Sequence, residues 1–110
     1  MPINYRVLGQ VSPPASGLTT LYTVPNNTQA ICSTVSICNL AGFVNTYRIA
    51  VRPSGASIAS QHYIAYDAQV AGNDSSFLSL GLSLSSSDVV SVYTPSNSGL
   101  SFNLFGTEIT

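Results

Sequence analysis

The chain has 110 residues, and only three basic and four acidic ones carry formal charge, 6% in all, against roughly 25% in ordinary soluble domains. An apolar fraction of 45% excludes a disordered chain. With no lysine, and Arg6, Arg48 and Arg52 as the only arginines, the basic clusters that bind nucleic acid are excluded too.

Along the chain the apolar pattern has period two and no sustained helical period. Residues 1–17 read as an N-terminal strand followed by a Pro-containing segment, Ser12-Pro13-Pro14-Ala15-Ser16-Gly17, which is either an arm laid on a neighbour or a connecting loop. Residues 18–110 read as one β-sandwich domain. Strands are predicted near 4–10, 18–24, 29–38, 46–52, 62–67, 76–84, 88–94 and 100–108. In the third of these, strict alternation puts Cys32 and Cys38 on one side, about 20 Å apart at ~3.3 Å per residue, too far for a disulfide. Both read as small buried hydrophobes. In the fourth, Arg48 and Arg52 share a face opposite Tyr47, Ile49 and Val51. In the fifth, alternation groups His62, Ile64 and Tyr66 on one face, with Tyr63, Ala65 and Asp67 on the other. In the sixth, Leu78, Leu80, Leu82 and Leu84 define one dry face, and Val89–Val92 in the seventh reads as buried on both faces.

Turn chemistry separates the strands: Pro25-Asn26-Asn27, Arg52-Pro53-Ser54-Gly55, Ala71-Gly72-Asn73-Asp74, Ser85-Ser86-Ser87-Asp88 and Pro95-Ser96-Asn97-Ser98-Gly99. About eight short antiparallel strands with no intervening helices predict an all-β fold, a single small β-sandwich of jelly-roll type.

Catalysis has little material. His62 is the one histidine, the carboxylates Asp67, Asp74, Asp88 and Glu108 are scattered, and no nucleophile elbow or phosphate loop occurs. One His and two Cys cannot make a four-ligand structural zinc site. No catalytic residue, metal or cofactor is therefore expected. No run approaches the ~20 apolar residues of a membrane span, and Met1–Arg6 lacks the basic-then-apolar opening of a secretory signal. With 18 Ser, 9 Thr and 8 Asn, the surface is made of hydroxyls and amides. So little charge offers little repulsion against association, which favours an assembling protein over a free monomer. The candidate interface is Arg48, Arg52, His62, Tyr63, Tyr66 and Asp67, an aromatic-plus-arginine set of the kind that carries binding energy. Its arginines are either paired, with Asp67 or a partner's carboxylate, or solvated.

The phrases Leu21-Tyr22-Thr23-Val24-Pro25, Cys38-Asn39, Tyr47-Arg48-Ile49-Ala50-Val51-Arg52-Pro53 and His62-Tyr63-Ile64-Ala65-Tyr66-Asp67 resemble a family of small tailed-phage virion proteins. The likeness continues through Ala71-Gly72-Asn73-Asp74, Leu80-Gly81-Leu82-Ser83-Leu84, Asp88-Val89-Val90-Ser91-Val92-Tyr93 and Leu100-Ser101-Phe102-Asn103-Leu104-Phe105-Gly106. The resemblance implies a non-enzymatic structural protein on the exterior of a phage particle. The leading expectation is a homotrimeric capsid decoration (cement) protein whose partners are itself and phage capsid or tail proteins. A tail, baseplate or fibre-attachment module is the first alternative. A carbohydrate-binding module, suggested by the Tyr/His/Arg cluster, is the second.

Overall fold

The structure, a computed structural model, describes residues 3–14, 17–95 and 99–110. Eight strands form: β1 (Ile3–Val11), β2 (Thr19–Thr23), β3 (Gln29–Asn39), β4 (Asn45–Arg52), β5 (Tyr63–Val70), β6 (Ser75–Leu84), β7 (Val89–Tyr93) and β8 (Leu100–Ile109). They make two four-stranded sheets, ordered β1-β8-β3-β6 and β2-β7-β4-β5, with every pairing antiparallel. Strand 1 pairs with 8, 2 with 7, 3 with 6 and 4 with 5. That nesting is a jelly roll, the architecture anticipated from period-two patterning.

Each sheet turns one apolar face inward. Ala30, Cys32, Val35 and Ile37 of β3 and Leu100, Phe102 and Leu104 of β8 meet Tyr47 and Ile49 of β4 and Val90 and Val92 of β7. Burying each large side chain stabilises by roughly 1.5–3 kcal/mol. The Phe102 and Tyr47 rings pack edge to face at 6.1 Å, so the two sheets meet through aromatic contact at the centre. The β6 leucines do face inward, but Leu84 alone is fully buried, since β6 is an edge strand. In β7, Val89 to Val92 are all buried. The Pro53–Gly55 turn covers the outward side of Val89, with Gly55 beside its Cγ2.

A line of register shifts crosses the first sheet, at Val7/Gly9 in β1 and Cys32/Thr34 in β3. It corrects the expectation for the cysteines. The alternation of β3 slips at Ser33, so Cys32 is buried in the core while Cys38 lies half-buried on the outer face; both are free thiols. Gly106 occupies this line. A Cβ there would fall 2.1 Å from the Ile31 carbonyl oxygen, so no larger residue fits without moving backbone.

The turns follow their sequence chemistry. Asn27, Ser54, Asn73 and Ser87 adopt positive φ, and the Asp88 carboxylate accepts from the Ser54 and Ser85 amides at 2.8 and 2.9 Å, tying two loops together. Residues 96–98 of the Pro95–Gly99 loop lie outside the described residues. β1 is hydrogen-bonded along β8. Beyond it, Ser12 Oγ donates to the Leu100 carbonyl at 3.0 Å and Pro13 is fully buried. Residues 3–13 thus rest on their own chain, while Ala15 and Ser16 of the Pro-containing segment lie outside the described residues.

Candidate interaction surfaces

The outer face of the β2-β7-β4-β5 sheet carries the residues singled out from sequence. Arg48 and Arg52 point outward from β4, opposite the buried Tyr47 and Ile49. The Arg48 guanidinium donates to both Asp67 oxygens, Nε to Oδ1 at 2.7 Å and Nη2 to Oδ2 at 3.3 Å. Its Cζ lies 4.1 Å from the Tyr66 ring centre and 4.7 Å from that of Tyr93. Hydrogen bonding to Arg48 holds the Asp67 carboxyl below its ordinary value, and the same bond raises Arg48.

Asp67 reaches this face through a bulge, which corrects the alternation expected for β5. Tyr47 pairs with Ala68 and Ile49 with Ala65, so two β5 residues, Tyr66 and Asp67, stand opposite Arg48 alone. The bulge needs one residue in the left-handed region. Asp67 takes it, with φ 54°, a conformation aspartate tolerates better than most side chains. A second shift, between Ile49 and Ala50, sets Tyr63 opposite Ala50. The Tyr63 and Tyr66 rings then meet at 4.9 Å, nearly perpendicular. A shallow hollow of about 440 Å³ lies between Ser60, Tyr63 and Tyr66.

The other two predicted residues serve loops. Arg52 Nε donates to Ser91 Oγ at 3.2 Å and its Nη1 to the Ala56 carbonyl at 3.1 Å, fastening the turn after β4. His62 Nδ1 accepts from the Ala59 amide at 3.0 Å and closes the short Ser60–His62 turn. Four of the six residues, Arg48, Tyr63, Tyr66 and Asp67, therefore come together; Arg52 and His62 stand apart from that cluster. Tyr93 belongs to the same cluster, which the sequence does not signal. Its place beside Arg48 depends on β7 lying next to β4, which no local pattern reveals.

The outer face of the β1-β8-β3-β6 sheet is of a different kind. Across one row run Tyr5, Thr107, Ile31 and Ser83, and across the next Val7, Phe105, Thr34 and Ser79. Tyr5 is 83% exposed, Phe77 67% and Ile3 54%. None of the seven charged residues points outward here. Arg6 alternates with Tyr5 and Val7 and turns to the inner side, donating from Nη1 to Oε1 of the buried Glu108 at 3.2 Å. Glu108 Oε2 in turn accepts from the Tyr22 hydroxyl at 2.5 Å. Arg48, Arg52 and Asp67 belong to the other sheet, and Asp74 and Asp88 to loops.

A third feature is the β3–β4 loop, which exposes Leu40, Phe43 and Val44. The buried Asn39 side chain holds it: Nδ2 is directed at the carbonyls of Phe43, Val70 and Ala71, and Oδ1 accepts from the Ala41 amide and Asn45 Nδ2. Among the described residues no three His, Cys, Asp or Glu side chains gather as metal ligands would.

Fold and surface together define an all-β sandwich whose distinctive parts are faces rather than clefts. No protein-family model, curated protein or solved structure matches the chain, so the resemblance to phage virion proteins gains nothing from those comparisons.

Proposed function

We propose that this protein is a non-enzymatic structural component of a bacteriophage particle, an oligomeric decoration protein seated on the outside of the capsid. The observation that carries the reading is the uncharged outer face of the β1-β8-β3-β6 sheet, where Ile3, Tyr5, Val7, Ile31, Phe77 and Phe105 are exposed together. An uncharged face with this many exposed large apolar side chains is a contact surface for other protein. A second support is the apolar β3–β4 loop, held in one shape by Asn39 before any contact forms.

The mechanism is adhesion. A protein that binds assembled shell and not its dissociated subunits stabilises the shell by mass action. Purified protein added back to capsids of its phage that lack it is expected to raise their melting temperature, saturably. No shift at saturation would overturn the cementing role. Labelling of intact particles with an antibody to this chain separates the capsid from a tail or baseplate position. The hollow beside Tyr63 and Tyr66 favours one other reading, a carbohydrate contact. Against it, Arg48 already lies over the Tyr66 ring and the chain has no tryptophan. A glycan array blank at high protein concentration would remove that reading.

A further inference from the structure

Gly81 lies on the β6 side of the register shift, where Leu80 and Gly81 together stand opposite Ser33 of β3. It sits in the middle of β6, facing outward between the inward Leu80 and Leu82. Its φ is not in the left-handed region, and a Cβ built on it would meet no atom within 4 Å. A glycine inside a strand weakens that strand, and it often marks a bulge, as here, or a place where another backbone or ligand approaches closely. Its outward neighbours on β6 are Ser83 and Ser79, so the stretch from Ser79 to Ser83 presents a short trough of small residues, closed at one end by the exposed Phe77 ring. At the opposite edge, β1 presents Ile3, Tyr5 and Val7 as a ridge.

We propose that a second copy of this chain packs on this sheet, outer face against outer face, about a two-fold axis running along the strands. Such an axis lays the β1 ridge of each subunit over the β6 trough of the other. The rows of the sheet fix the match. Tyr5 shares a row with Ser83, and Val7 shares one with Ser79. Tyr5 therefore meets Ser83 of the partner subunit, Val7 meets Ser79 of the partner subunit, and the Tyr5 ring reaches the notch at Gly81 of the partner subunit.

Size and charge agree with this occupant. The ten residues of β8 and the four strands, at ~3.3 Å per residue and ~4.8 Å between strands, give a face of roughly 33 by 19 Å. With side-chain relief, that approaches the about 800 Å² each partner contributes to a stable interface. No charge is desolvated on either side. A lipid surface is disfavoured, because interfacial membrane binding draws on basic residues beside the apolar face. One self-complementary patch suits a two-fold pair; a closed trimer would need two different patches per chain.

This pairing goes beyond the reading as a capsid component and stands without it. The test is the molar mass of the full chain by light scattering across a concentration series. Wild type is expected at twice the 11.5 kDa chain mass. Tyr5→Asp and Gly81→Val are each expected to raise the dissociation constant at least tenfold. Gly81→Val should leave the melting temperature of the diluted monomer unchanged or higher, which a merely structural glycine would not allow. Tyr5 is so exposed that Tyr5→Asp keeps the test open should Gly81→Val fail to fold. A monomeric or trimeric wild type, or variants that remain dimeric, would overturn the proposal. A monomeric Tyr5→Asp protein that still binds capsids would leave the capsid reading intact, and a dimer that binds none would defeat that reading alone.

Discussion

The two outer faces of this sandwich use the same backbone architecture in opposite ways. On the β2-β7-β4-β5 face, the charged groups are turned on one another: Arg48 is held by Asp67 and flanked by Tyr66 and Tyr93, and Arg52 fastens a turn. On the β1-β8-β3-β6 face there is no charge at all, and large apolar side chains stand among serines and threonines. In a chain with seven charged residues, Arg6, Arg48, Arg52, Asp67 and Glu108 serve internal ties, and Asp88 joins two loops. Solubility is left to hydroxyls and amides. One face is braced, and the other is open to contact.

The sharpest way to break the contrast is to damage the spine of the open sheet instead of its face. Gly106→Ala drives a methyl group to within 2.1 Å of the Ile31 carbonyl oxygen. The overpacking is expected to cost about 3 kcal/mol, read as a lower urea midpoint with an unchanged slope. A cost under about 1 kcal/mol would mean that the bulge line yields.

The next effect lies in the shared core. Burial pushes the Cys32 thiol up to about 11 and raises Tyr22, whose hydroxyl donates to Glu108, as well as Tyr47. The folded state therefore holds these protons more tightly than the unfolded chain does. Their contribution is complete below about pH 9, where the unfolded thiol begins to ionise, and is lost as pH rises toward 11 and beyond. The Cys32 share cannot exceed about 1.4 kcal/mol per pH unit. Melting temperatures from pH 7 to 11 are expected to fall more steeply for wild type than for Cys32→Val, and parallel curves would contradict this.

Period-two patterning made all eight strands legible, because each sheet has one dry face and a side-chain period of two reports it directly. It failed wherever a bulge slipped the phase. Strict alternation puts Cys38 in the core, because nothing at Ser33 announces the shift in β3. Alternation likewise puts Asp67 opposite Tyr66 and ends β5 three residues early, because an aspartate in the left-handed region reads like any other. The Arg48–Asp67 pair was within reach of sequence reading, since β4 and β5 are consecutive. Tyr93 was not, since the neighbour of β4 on its other side is β7. The open apolar face is not legible in the sequence for a related reason. Its large residues come from four strands that are adjacent in space and not in sequence.

Within the braced face, Asp67→Asn tests whether the charge or only the backbone conformation is needed. Asparagine tolerates the left-handed region as aspartate does, so the bulge is kept and the ion pair is lost. Because Arg48 holds the folded Asp67 carboxyl below its unfolded value, the pair stabilises above the unfolded carboxyl value, about pH 4, and fades as pH falls through the lower folded one. Asp67→Asn should therefore lower the melting temperature slightly at pH 7, and the difference should close near pH 2. A gap that persists in acid would point to the side-chain amide and not to charge.

The smallest effect is the one that separates a contact face from a structural one. Phe77 is 67% exposed on the open sheet, and Phe77→Ser removes a ring that packs mostly against water. In dilute, monomeric protein the change should stay within about 0.5 kcal/mol, as surface substitutions usually do. Tyr66, although also largely exposed, touches Arg48 and Tyr63, so Tyr66→Ser should cost more in the same urea titration. Equal costs would erase the distinction between the two faces. A Phe77→Ser protein clearly less stable than Tyr66→Ser would reverse it, and would mean that the open face holds the monomer together and is not reserved for other protein.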